Sequence, residues 1–226
     1  MTRRTLGICV LLAATGGAAA AGLIGWVPQT GAAIPLDATF HDETGRTVRL
    51  GDYFNTRPVI LNLVYFQCPG LCGQELTGLL SALRAIPLEA GKDVQVITVS
   101  FDPREQPVLA ASKKRFYIDR YKRFKREDPG ASWVFLTGDQ ANVRRLADAV
   151  GFHYTYDKET DQFNHPAGLV ILAPDGRISR YFNGIEYPPR DLWLALLEAS
   201  GHSIQSAMAR FWLHLRWLGF QIQSDN

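Results

Sequence analysis

Four apolar segments constrain the fold more than anything else in this chain. "PVILNLVYF" (58–66), "VQVITVSF" (94–101) and "SWVFLTG" (132–138) are short and rich in β-branched residues, and "GLVILAPDGRISRYF" (168–182) reads as two strands joined around Pro174, Asp175 and Gly176. Near-continuous apolar runs of this length suit strands covered on both faces, the usual condition of a parallel sheet. Segments of helical period lie between them. Residues 69–86 carry Leu76, Leu79, Leu80 and Leu83 at helical spacing, and 107–125 read as a second helix. In 139–150, Val143, Leu146, Ala147 and Val150 form one stripe, with Asp139 placed to cap the start and Gly151 the end. "PPRDLWLALLEAS" (188–200) opens on prolines, which suit a first helical turn. Ahead of the first strand, "ATFHDETGRTVRLGDY" (38–53) predicts a hairpin turning at Glu43 to Gly45, and "FHYTYDKETDQFNHP" (152–166) alternates like an inserted hairpin.

Parallel strand–helix units followed by an antiparallel pair and a last helix predict an α/β, thioredoxin-like domain, a central mixed sheet flanked by helices. At 226 residues the chain suits one such domain with appendages. Arg3 and Arg4 precede an uncharged run from Leu6 to Val27. Its length, about 22 residues, suffices for an N-terminal hydrophobic membrane helix, where roughly 20 are needed. The Ala18–Ala21 tract equally supplies small residues for a cleavage site, so the leader reads as an anchor or a cleaved signal. Either way the rest of the chain is expected outside the cytoplasmic membrane, on its periplasmic side. The expected organisation is a signal or anchor at 1–27, a linker at 28–36, the domain at 37–200 and an amphipathic tail at 201–226. The tail's "ARFWLHLRWLGFQ" suits packing on the domain, a membrane interface or a partner helix. "KKRFYIDRYKRFKR" (113–126) reads as a solvated basic helix face or a dock for an acidic partner or anionic lipid. A net charge of +2 gives no reason to expect nucleic acid.

The chemistry concentrates in "FQCPGLCGQEL" (66–76). Cys9 lies in the leader and reads as apolar filler, which leaves Cys68 and Cys72 as the thiols of the exported part. A domain of this size needs no disulfide staple, so two thiols at the mouth of a helix suggest redox or metal chemistry. With Pro69 at the first helical position, Cys68 is expected as the N-cap, where the helix dipole and free N–H groups lower a thiol pKa. Cys72, four residues on, returns to the same face. Soft thiolates select Cu(I) or zinc over magnesium or calcium. Among five histidines, His165 alone lies just ahead of a core strand expected to run antiparallel to the first. By position it is as readily an ordinary surface residue as a ligand.

"PVILNLVYFQCPGLCG", "VITVSFDP" and "NHPAGLVILAPDGRISRYF" together resemble the Sco/SenC copper chaperones over residues 37–199. The resemblance implies copper, as Cu(I) and also as Cu(II), held by Cys68, Cys72 and His165. It also implies delivery to the binuclear copper centre of a terminal, cytochrome c oxidase, and draws attention to Asp102, otherwise a turn residue before Pro103. Expected partners are the copper-receiving oxidase subunit, a copper donor and a thiol reductant. Many members have proline after the second cysteine and an acid before the histidine, where this chain has Gly73 and Asn164. The alternatives are a thiol-disulfide reductase, with Cys68 attacking and Cys72 resolving, and a peroxide or redox sensor on the same fold.

Overall fold

The structure, a computed structural model, describes residues 24–54, 56–122 and 132–201. Its centre is a five-stranded mixed sheet. The first three apolar runs become β4 (Val59–Val64), β5 (Gln95–Ser100) and β6 (Trp133–Leu136), which pair in parallel. Every residue of the three is buried, because helices cover the sheet and leave no solvated face to reward alternation. β10 (Gly168–Leu172) runs antiparallel beside β4, and β11 (Ile178–Asn183) closes that edge, giving the order β11-β10-β4-β5-β6. The turn between β10 and β11 uses Gly176 at φ 81°, a conformation that favours glycine.

Helices α1 (Leu71–Ala85) and α2 (Pro107–Tyr121) are the two crossovers, and α4 (Pro189–Ala199) follows β11. α1 packs against both α2 and α4. The fit is close: a Cβ on Gly78 of α1 would lie 1.8 Å from the carbonyl oxygen of Ile185. α3 (Gln140–Ala149) opens on Asp139, whose carboxylate accepts from the Asn142 N–H at 2.8 Å, and is followed by Gly151 at φ 65°.

Smaller strands surround this frame. β2 (Thr39–His41) and β3 (Thr47–Arg49) form the expected hairpin. The 152–166 segment divides in two: β7 (Phe152–His153) pairs with β1 (Gly25–Trp26), and β8 (Thr155–Asp157) with β9 (Gln162–Asn164). The stretch expected as a linker runs along the domain, with Ile34 buried and Ala33 bridging Arg177. Trp26, assigned by sequence to the leader, packs edge-on to Phe152 and Tyr181.

α2 ends at Tyr121, four residues before its expected end, with Lys122 left-handed at φ 55°. Within the basic segment Lys114 is buried against Glu43, and Arg120 stacks on Phe116. Residues 1–23 of the hydrophobic helix expected at 1–27, residues 123–126 of the basic segment and the tail from 202 onward lie outside the described residues, and the end of that leader, Gly25–Trp26, is strand and not helix. Among the described residues no helix is long and apolar enough to cross a membrane.

Candidate metal centre

Parallel pairing puts the C-terminal ends of β4 and β5 at one edge of the sheet, and antiparallel pairing puts the start of β10 there too. Cys68 and Cys72 follow β4, and His165 precedes β10. Cys68 Sγ, Cys72 Sγ and a ring nitrogen of His165 all lie within 4.8 Å of one another, so the three could hold a metal ion. Cys72 Sγ is 3.5 Å from His165 Nε2.

The helix does not begin where the sequence suggested. Its N-cap is Gly70, whose carbonyl accepts from the N–H groups of Gly73 and Gln74, and Cys68 precedes it in a turn closed by its own N–H on the Tyr65 carbonyl. The thiolate is stabilised all the same. The Cys72 thiol donates to Cys68 Sγ, partial burial opposes ionisation, and His165 with the N–H groups of Cys72 and Gly70 adds further stabilisation, bringing the Cys68 pKa down to about 3. Burial, and then the adjacent Cys68, push the Cys72 thiol well above its ordinary value. One proton is therefore kept on the inner sulfur and a thiolate presented at the outer, half-buried one. No disulfide joins the two cysteines.

His165 Nδ1 lies 2.9 Å from the Pro166 carbonyl oxygen. A carbonyl only accepts, so Nδ1 donates to it, and Nε2 is the nitrogen left facing the cysteine sulfurs. The backbone here makes the orienting contact that a carboxylate makes for many metal-bound histidines. The peptide before Pro166 is trans. Phe101 and Tyr65 pack on the imidazole, with centroids at 5.1 and 5.7 Å, and Phe163 lies against both.

Three supporting residues were not predicted from sequence. Glu105 accepts from the Phe66 and Gln67 N–H groups, both at 2.7 Å, and so fixes the loop that enters the cysteine motif. Burial raises the Tyr65 hydroxyl pKa, and its hydrogen bond to Cys68 raises it further. Glu75, one turn beyond Cys72, is fully buried, and desolvation raises its carboxyl well above the usual range. It ends a buried chain in which Trp133 Nε1 donates to Thr98, Thr98 to Asn62 Oδ1, and Asn62 Nδ2 to Glu75 Oε1. Asn62 signalled this, as the one amide in the otherwise apolar β4. Asp102 is not among the three clustered residues: its buried carboxylate is held by Arg104 at 2.8 Å.

A thioredoxin-like sheet presenting a cysteine pair and a histidine at one edge defines a class of thiol- and metal-handling proteins. The SCO1/SenC family model matches residues 29–198. The chain belongs to the SCO1/SenC family. It is 26% identical over 152 residues to the mitochondrial SCO2 homologue of Bos taurus, a match covering 65% of this chain and 53% of that one. To the SCO1 homologue of Bacillus subtilis it is 25% identical over 159 residues, covering 68% and 75%. The chain thus spans about half the length of the mitochondrial relative. The structure of Bradyrhizobium japonicum ScoI with copper bound shares its fold, with a TM-score of 0.54 and 24% identity over 74% of this chain and 99% of that one.

Proposed function

We propose that this protein is a copper-binding metallochaperone, holding copper between the thiolates of Cys68 and Cys72 and Nε2 of His165, and delivering it to the copper-receiving subunit of a terminal oxidase. The observation that carries this reading is the convergence of two soft sulfur donors and one imidazole within 4.8 Å. This donor set suits Cu(I), and Cys72 releases its proton as the metal enters. Cys68 is the outer ligand, half-buried where Cys72 is 3% exposed, so a recipient's thiol would displace it first. The copper-bound structure of the similarly folded ScoI supports the choice of metal. In this reading the domain acts on the periplasmic side of the membrane, with the leader as its tether or its export signal. The test is anaerobic Cu(I) titration against a chromogenic chelator. Cys68→Ser and Cys72→Ser should each abolish tight binding, and His165→Ala should weaken it by roughly 10-fold or more. Wild-type copper retention in either serine variant would sink the proposal.

One observation favours a second activity on the same residues. An outer thiolate backed by an inner, protonated thiol is the arrangement of a dithiol reductant. Cys68 would attack a partner disulfide, expelling one partner thiolate and forming a mixed disulfide. Cys72, on losing its proton, would attack Cys68 Sγ, releasing the second partner thiolate. The Cys68–Cys72 disulfide left behind needs a dithiol reductant for the next turn. His165→Ala separates the activities: reduction of a model disulfide should continue near the wild-type rate while copper retention falls. A large loss of disulfide reduction with copper retention intact would make the histidine a thiol partner instead.

A further inference from the structure

The hairpin β8–β9 delivers His165 to the site, since Asn164 is its last residue, yet both its strands pair only with each other among the described residues. An isolated two-stranded hairpin is marginal in water, so something outside it must hold it in place. Its main polar tie is Arg104, in the turn between β5 and α2. The guanidinium is half exposed and seated on Asp102, which is buried, with Nε 2.9 Å from Oδ1 and Nη2 2.8 Å from Oδ2. Its remaining nitrogen, Nη1, donates to Asp161 Oδ1 at 2.7 Å and to the Tyr156 hydroxyl at 3.3 Å, both on the hairpin. The cation also lies over the rings of Tyr156 and Phe163, at 5.0 and 5.5 Å. Phe163 packs on Tyr65 and Phe101, the same two rings that flank the His165 imidazole. The next residue in sequence, Glu105, holds the loop entering the cysteine motif. One short turn therefore braces both ligand-bearing segments.

We propose that Arg104, seated on Asp102, is a positioning residue that fixes His165 over the cysteine pair by stapling the β8–β9 hairpin to the end of β5. Its effect on copper rests on the metal reading above; its effect on the imidazole does not. A planar fork is needed, because one guanidinium must meet one carboxylate with two nitrogens and a second with the third. Lysine supplies the charge without that geometry.

The experiment uses the full-length chain as wild type, Arg104→Ala, Arg104→Lys, Asp161→Asn, His165→Ala and Arg104→Ala combined with His165→Ala. The metal-free chain is read first, by NMR of the histidine rings. In Arg104→Ala the His165 ring signals should move toward those of an exposed histidine while those of His41 and His153 stay in place; Asp161→Asn and Arg104→Lys should fall between. Cu(I) retention should then drop roughly 10-fold in Arg104→Ala, the scale of losing an outer-shell partner. The double variant should retain as much copper as His165→Ala alone, because both changes remove the same ligand. Unmoved His165 signals in Arg104→Ala overturn the proposal whatever copper does, and so does a double variant in which the two losses multiply. If instead the His165 signals move but Cys68→Ser retains copper like wild type, the staple stands and the metal reading fails.

Discussion

Cys68 and Cys72 are four residues apart, and their environments push their thiol pKa values in opposite directions. Cys68 collects N–H donors and a thiol, whereas Cys72 sits beneath it with almost no exposure. The sign for Cys68 follows directly: lowering its pKa to about 3 keeps it a thiolate at every pH above that value. Alkylation of Cys68 by iodoacetamide should therefore be fast and nearly flat from pH 5 to pH 8, with Cys72 left unmodified. A free thiol near 8.5 would instead gain rate about tenfold per pH unit over that range. Mass mapping of the modified cysteine against pH checks this, and a profile rising steeply toward pH 8 would contradict it. The residues themselves were legible: a cysteine pair after a buried strand and a histidine before its antiparallel neighbour are patterns in the chain. What surrounds them was not. Glu105 and Tyr65 act through backbone N–H and hydroxyl contacts whose partners only the folded turn brings near.

At the scale of elements, the buried strands were readable because covering both faces removes the need for alternation. Helix ends were readable where a side chain makes the cap, as at Asp139, and misread where the backbone does, as at Gly70. The β1–β7 pair was missed altogether, since two residues of leader-like composition carry no strand pattern. That pair bears on the site: Trp26 Nε1 donates to the Ala167 carbonyl, two residues beyond His165. Trp26 is partly buried, so Trp26→Ala should cost up to the roughly 1.5–3 kcal/mol of a fully buried large side chain, and chains beginning near residue 30 should retain copper less well than chains beginning near residue 22. Equal melting midpoints and equal copper retention would show the strand to be dispensable. α1 gives a sharper case. Gly78→Ala would drive a methyl into the Ile185 carbonyl and should destabilise by about 1–3 kcal/mol, measurable by urea denaturation. An unchanged midpoint would mean that the 184–187 loop yields freely.

For the whole molecule, all three candidate ligands come from a single chain, so copper should bind one per chain, with a stoichiometry independent of protein concentration. Copper-to-protein ratios across a dilution series check this, and a ratio of one half would point to a site shared between two copies. The uncharged span after Arg3 and Arg4 leads to a second expectation, that the chain fractionates with membranes and is digested by protease added from the outer side. A soluble mature form beginning near residue 22 would identify the span as a cleaved signal. The domain's layout was legible in outline because each strand–helix unit is local. Its closure was not, and closure has a consequence for how the protein is made. Trp26 is among the first domain residues to be synthesised, yet its hydrogen-bond partner lies 141 positions later. It cannot dock until Ala167 has been made and, for an exported chain, has crossed the membrane. Contacts this far apart in sequence come at a high loop-closure entropy and form slowly. The histidine side of the site is therefore completed late, after both thiols have already been exposed, which leaves an interval in which an oxidant can reach the cysteines before the fold is closed.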